Sequence, residues 1–277
     1  MRVFIARLVA ALATFAATLP PAMARGDELL FGVYPYLTPT QIVQQFAPLK
    51  EYMGKTLERP VVMVSAPDFA TFIERTRKGE YDVIFTAPHM GRLAETRDGY
   101  KPVAQTGYQI VVVVLARRDG PIRSLDDLRG HSLAIGARNS MTYQILFEAL
   151  KQKGLALGQD IRLVQAASFS NVLQAVMRGE ADAGGTGTLL WDVATDEQHK
   201  ALRVVFQSAP VSGFLLMAHP RLGETDIRRL QQALPAFVHT PAGAGYFRQT
   251  QQIDFRPLDD AAMKRIDPYV TDLLQGR

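Results

Sequence analysis

The residue types that carry chemistry are few in this chain and unevenly placed. His89, His131, His199, His219 and His239 form no i,i+4 pair and no HExxH motif, and there is no cysteine, so a zinc site finds no donor set. No G-x-S-x-G elbow and no P-loop is present, and Gly185 and Gly187 lead to Leu190 where a dinucleotide fingerprint needs its third glycine. Asp126-Asp127 and Asp259-Asp260 stand where helices are expected to start, which reads as solvated capping rather than acid–base work. The expectation is therefore no catalytic residue, no metal and no cofactor. The segment with the most chemical potential is Gly136-Ala137-Arg138-Asn139-Ser140-Met141-Thr142. It follows a predicted strand, Ser132 to Ile135, and opens a predicted helix, Met141 to Lys153, so the first-turn amides are unpaired. They point, with the positive end of the helix dipole, at whatever lies in front. Ser140 and Thr142 add hydroxyl donors, which makes the loop a candidate oxyanion cradle. The same residues also read as an ordinary cap with no ligand.

Two repeated units are expected to position that loop. Asp68-Phe69, Phe72-Ile73, Thr76 and Lys78-Gly79-Glu80-Tyr81-Asp82-Val83 are echoed one hundred residues later by Ser168-Phe169, Val172-Leu173, Val176 and Arg178-Gly179-Glu180-Ala181-Asp182-Ala183. In both copies apolar residues recur at i, i+3, i+4 and i+7 between a capping side chain and a helix-ending glycine. A strand follows each helix and runs out into Thr86-Ala87-Pro88-His89 or Gly185-Thr186-Gly187-Thr188. Further strands are expected at Leu29 to Val33, Val61 to Val64, Tyr108 to Ala116, Leu202 to Gln207 and Gly213 to Ala218, with a helix over Ile42 to Met53. This pattern predicts two α/β lobes of related build. The chain crosses between them near residues 110 to 117 and 207 to 213, which makes a hinge.

Composition is consistent with such a body. The chain has 277 residues, 47% of them hydrophobic, and 31 Lys plus Arg against 27 Asp plus Glu. That allows ample core and argues against disorder or a disulfide scaffold. A net charge of +4 is too mild for a nucleic-acid footprint. Arg2 and Arg7, the apolar stretch Leu8 to Leu19, and Ala22-Met23-Ala24 have the layout of a secretory signal peptide cut after Ala24. Cleavage would remove two arginines and no acid, taking the charge from +4 to +2. The expected mature protein is periplasmic and has no membrane insertion, since Ile110 to Ala116 is too short to span a bilayer.

Read in order, these pieces resemble the phosphate, phosphite and phosphonate class of periplasmic substrate-binding proteins of ABC transporters. The likeness runs through Gly32-Val33-Tyr34-Pro35, Asp68-Phe69-Ala70, Gly79 to Pro88, Tyr108 before its apolar strand, Ser124 to Gly130, Asn139-Ser140-Met141-Thr142 and Gly179 to Ala183. The resemblance implies a two-lobed periplasmic binding protein fold (type II, Venus flytrap) with two hinge crossings. Lobe 1 would comprise 25–112 and 210–277, and lobe 2 would comprise 113–209. It implies a small oxyanion ligand held in the cleft, an inner-membrane ABC permease as partner, and a monomer.

In that family a run of the S-T-S type holds the anion at a helix N-terminus. Ser140 and Thr142 fall on its outer hydroxyls, beside Asn139, and Met141 replaces the middle one. Phe69 falls where a tyrosine is usual, while Tyr108 keeps an aromatic hydroxyl. Thr86 and His89 come from the loop that closes over the ligand in the first lobe, and Thr186 and Thr188 from its counterpart. Tyr36 lines the cleft from the first strand or packs beside Pro35. Losing two donors would weaken phosphate binding a hundredfold or more, at about 1.5 to 3 kcal/mol each. The ligand is therefore phosphite, an alkylphosphonate or another oxyanion unless His89 or another group compensates. Two rival functions remain: a periplasmic ligand sensor that docks on a sensor kinase, and a secreted enzyme acting on a phosphorus or sulfur ester.

Overall fold

The computed structural model describes residues 28–166 and 169–270. The signal-peptide reading of 1–24, the capping role of Ser168 and the side chain of Phe169 lie outside the described residues. In chain order, β1 (Leu29–Val33), α1 (Pro39–Leu57), β2 (Val61–Val64), α2 (Phe69–Arg77), β3 (Val83–Thr86), α3 (Pro88–Asp98) and β4 (Lys101–Thr106) build a first body. The chain leaves it through β5 (Gln109–Ile110) for β6 (Val112–Arg117), β7 (Ser132–Ile135), α4 (Met141–Gln152), β8 (Arg162–Gln165) and α5 (Phe169–Met177). The second body continues with β9 (Ala183–Gly187), α6 (Thr188–Asp192), α7 (Asp196–Ala201) and β10 (Leu202–Gln207). Return is through β11 (Val211–Ser212) to β12 (Leu215–Ala218), α8 (Glu224–Ala233), α9 (Pro241–Thr250), β13 (Phe255–Arg256) and α10 (Asp260–Lys264).

The two sheets share one plan. The first has the order β13-β4-β12-β3-β1-β2 and the second β10-β6-β9-β7-β8. In each, three parallel strands from a β-α-β-α-β run lie side by side, β3-β1-β2 or β9-β7-β8. An antiparallel strand is then laid on the outside, β12 on β3 and β6 on β9. The hundred-residue echo in sequence is thus a repeat of architecture. β5 and β11 pair only with each other, antiparallel, in a two-stranded ribbon between the sheets. Both crossings pass through that ribbon.

Helices cover both faces of each sheet. In the first body, Phe31, Val33, Val83 and Phe85 pack with Phe46 and Leu49 of α1, Leu230 of α8 and Tyr246 of α9. Ile84, Leu215 and Met217 pack on the opposite face with Phe72 of α2 and Met90 of α3. In the second body, α4 supplies Ile145, Leu146 and Leu150 to a core with Val112, Val114 and Ile135. Burial of each large apolar side chain contributes about 1.5 to 3 kcal/mol, so these layers hold the strand ends where they must meet.

Several elements differ from expectation: the loop expected over Gly185 to Thr188 is the end of β9 and the start of α6, and the strand expected from Gly213 begins at Leu215. α1 begins at Pro39 rather than Ile42 and continues past Gly54 to Leu57. Thr38 and Gln41 form a capping box and Pro39 occupies N1, a local start signal stronger than the apolar spacing that suggested Ile42. The expected strand from Tyr108 to Ala116 is broken at Val111, where the ribbon gives way to the second sheet.

Candidate functional site

The candidate cradle sits where β7 feeds α4. All four residues of β7 are buried. The loop then tightens: Ser140 N donates to the carbonyl of Ala137 (2.9 Å), and Gln144 Nε2 donates to that of Arg138 (2.8 Å). Ser140 is the N-cap of α4 and its oxygen accepts from Tyr143 N at 3.2 Å. That leaves the hydroxyl proton of Ser140 as a donor, together with the amides of Met141 and Thr142, which have no carbonyl one turn earlier. Ser140 and Thr142 are only 5% and 6% exposed. The counterpart helix start in the first body is unlike it, since Thr38, Pro39 and Thr40 are exposed and Pro39 has no N–H. One of the two helix N-termini is therefore both buried and rich in donors.

The first body meets this loop directly. β3 ends at Thr86 and passes through Ala87 into α3, where Pro88 at N1 starts the helix at once. The expected closing loop is thus a strand end joined to a first helical turn. His89 lies in that turn, fully buried, with Nε2 at 3.0 Å from the carbonyl oxygen of Asn139. A carbonyl only accepts, so Nε2 carries the hydrogen and Nδ1 of the neutral ring is an acceptor. Nδ1 has no partner. Burial, opposed by the Asn139 carbonyl, pulls the imidazole pKa down to about 4.

The remaining candidates divide into those near that meeting point and those held elsewhere. The Tyr108 hydroxyl, just ahead of the ribbon, faces the side chain of Thr188, the first residue of α6. Burial raises its pKa, with the Thr188 side chain acting in the opposite direction. Phe69 stacks on Tyr34 at 4.4 Å between ring centroids, and Tyr34 lies 6.3 Å from Tyr36. Tyr36 also packs on Phe214 at 4.8 Å and joins the first core, and burial holds both tyrosine hydroxyls protonated, far above their ordinary pKa. Thr86, the last residue of β3, and Thr186, the last but one of β9, are both fully buried, with hydroxyls that have no partner. Thr86 also lines a small cavity of about 10 Å³ with Phe72, Thr76, Met90 and Leu93 beneath α2 and α3. Met141 packs in the second core with Ile135 and Ile145, so its side chain faces inward and only its amide is offered at the cradle.

Tyr34, expected with Tyr36 to line the cleft or pack beside Pro35, ties Phe69 to Tyr36. Sequence reasoning missed the turn Asp267–Tyr269, which touches both bodies. Asp267 meets Arg92 of α3 at 2.6 Å, and Tyr269 packs against both the second core and the α2–α3 side of the first. No local signal marks Tyr269. Among the described residues, no cluster of three or more His, Cys, Asp or Glu side chains is arranged to hold a metal, and no helix is long and apolar enough to cross a membrane. The arrangement as a whole concentrates neutral donors, fixed backbone dipoles and one unpaired imidazole nitrogen at a seam between two bodies. Such a set is suited to holding an anion.

The family described as "ABC transporter, phosphonate, periplasmic substrate-binding protein" matches residues 31–263. Among solved structures, XAC2383 from Xanthomonas citri bound to chloride ion superposes with a TM-score of 0.79 at 23% identity, covering 90% of this chain and 99% of that one. PhnD1 from Prochlorococcus marinus (MIT 9301), in complex with methylphosphonate, gives 0.74 at 15% identity, covering 90% and 99%. The periplasmic aliphatic sulphonate binding protein SsuA from Escherichia coli gives 0.65 at 18% identity, covering 91% and 93%. These likenesses establish the two-lobed binding-protein fold.

Proposed function

We propose that this chain, which belongs to the periplasmic substrate-binding family of phosphonate ABC transporters, holds a small phosphorus oxyanion between its lobes and presents it to a membrane permease. The observation that carries this reading is the buried start of α4, where Ser140, Thr142 and two free amides lie beside the His89 to Asn139 contact, which joins the first body to the cradle loop. The ligand takes the hydroxyls of Ser140 and Thr142 and the amides of Met141 and Thr142 from the second lobe. From the first lobe it meets His89 and, at the cleft edge, the aromatic group of Tyr34, Tyr36 and Phe69. Thr86, Thr186, Tyr108 and Thr188 complete the lining.

Function then follows from population shift. A ligand that touches both lobes makes more contacts when they are closed, so it favours the closed form by the free energy of those extra contacts. The permease recognises the closed shape, and the receptor itself carries out no chemistry. Residues 1–24 would direct the chain to the periplasm as a cleaved signal peptide, and the mature protein would act as a monomer. A thermal-shift screen of the mature protein against methylphosphonate, phosphite, phosphate, sulfate and acetate tests the reading. A ligand bound only by the native state raises the melting temperature by mass action, so at least one phosphorus oxyanion must do so in a saturable way. A panel with no response would refute it.

A further inference from the structure

We infer that His89 is a specificity-determining residue that selects an oxyanion still carrying a proton on one of its oxygens. The inference rests on the proposed function and deepens it by naming the ligand's protonation class.

It starts from the geometry of one ring. Nε2 of His89 is committed to the carbonyl oxygen of Asn139 at 3.0 Å, the residue directly before the Ser140 cap. This contact fixes the tautomer, because the carbonyl offers only lone pairs. Nδ1, across Cε1 on the same imidazole, is left as an acceptor, fully buried and without a partner. A second observation makes the neutral ring the stable form in this place. His89 stands in the first turn of α3, where the helix dipole opposes a positive charge, and burial opposes it further against the pull of the Asn139 carbonyl. No charged side chain of the described residues acts on it.

An orphaned buried acceptor beside a set of donors has a specific consequence. Ser140 Oγ, Thr142 Oγ1 and the two amides supply hydrogens to any anion, whatever its central atom. Nδ1 supplies a lone pair, and a fully ionised oxyanion sets its own lone pairs against it. A P–OH group satisfies Nδ1 instead. Sites built around a buried hydrogen-bonding group reject an analogue that cannot make the bond, because the group is then left unpaired. Methylphosphonate monoanion and methanesulfonate have the same charge and nearly the same shape, and only the first has a hydroxyl. The pair isolates the term.

Calorimetric titration at about pH 6, near the second ionisation of a phosphoryl group, compares the two anions on the wild-type protein and on two variants. Methylphosphonate is expected to bind at least a hundredfold more tightly than methanesulfonate to the wild type. His89→Leu is expected to reduce that ratio to within a few fold. His89→Gln, whose amide can donate to Asn139 and present a carbonyl oxygen in place of Nδ1, is expected to keep a ratio of at least tenfold. Equal affinities on the wild type, or an unchanged ratio in His89→Leu, overturn the inference and leave the proposed function standing. Binding of neither anion to the folded wild type, judged by its melting curve, overturns the inference, and the proposed function falls with it if phosphite and phosphate also fail to bind.

Discussion

Asp82 and Asp182, one hundred residues apart, perform the same task in the two lobes. Asp82 Oδ2 accepts from the amide of Leu30 at 2.7 Å, pinning the start of β1 to β3. Asp182 Oδ2 accepts from the amide of Ser132 at 2.8 Å and from its hydroxyl at 2.6 Å, pinning β7 to β9. In each lobe the pinned strand feeds the first helix of the β-α-β-α-β run, and in the second lobe that helix is α4. Asp82 is further tied to Arg221 at 2.6 Å, whereas Asp182 has His131 at 3.5 Å.

Asp182→Ala removes the anchor of β7 and is expected to cost about 1 to 3 kcal/mol, a loss of several degrees in melting temperature for a domain of this size. Burial opposes ionisation of Asp182, but the hydroxyl and amide of Ser132 outweigh it and hold the carboxyl below the usual range. Its contribution is therefore present above the unfolded pKa and lost as pH falls through the folded one. Thermal melts across acidic pH should show a smaller decline in the variant than in the wild type.

His89 predicts a second pH effect. The ordinary pKa of 6.5 applies to the unfolded chain and about 4 to the native one, so between these values the unfolded state binds more protons. Stability should be complete above pH 6.5 and fall as pH drops towards 4, by up to about 3 kcal/mol. Denaturant midpoints measured over that window should flatten in His89→Phe. An equal slope in both proteins would show that the ring is not buried in its neutral form.

The ribbon predicts a steric effect. A Cβ on Gly213 would fall inside contact distance of the Tyr108 carbonyl oxygen and the Thr106 hydroxyl, so the two crossings approach each other there more closely than any side chain permits. Gly213→Ala should push them apart, lowering stability by about 1 to 3 kcal/mol and changing the small-angle scattering radius of the ligand-bound form. A variant with wild-type melting and scattering would remove the ribbon as a constraint on lobe geometry.

How much of this was legible beforehand depends on the range of the interaction. The helix–glycine–aspartate echo and the strand-loop-helix around Ser140 are local patterns, and both appear where expected. The inward position of Met141 was also legible, since Met141 and Ile145 share a helix face, but the likeness of the loop to an S-T-S run drew attention to the cleft instead. The contact between His89 and Asn139 joins residues fifty apart on different bodies. The role of Tyr269 needs α3, α4 and the final turn to be assembled first. Such relations arise from packing, which no periodicity encodes.

The single tryptophan supplies a reporter. Trp191 lies on α6, 4.2 Å from His199 between ring centroids, and α6 begins at Thr188, which faces Tyr108. Titration with methylphosphonate should change the emission, and Tyr108→Phe should shift the midpoint upward by about tenfold, the effect of one hydrogen bond to a charged ligand. Emission insensitive to a ligand that calorimetry shows to bind would separate α6 from closure.

The central claim is that the first turn of α4 holds the anion. Isothermal titration of methylphosphonate into the wild type and into Ser140→Ala/Thr142→Ala tests it most directly. Loss of the Ser140 cap should lower stability by about 1 kcal/mol without unfolding the protein. Affinity is predicted to fall at least tenfold, because two hydroxyl donors to a charged ligand are removed. A folded double variant that binds methylphosphonate as tightly as the wild type would contradict the account.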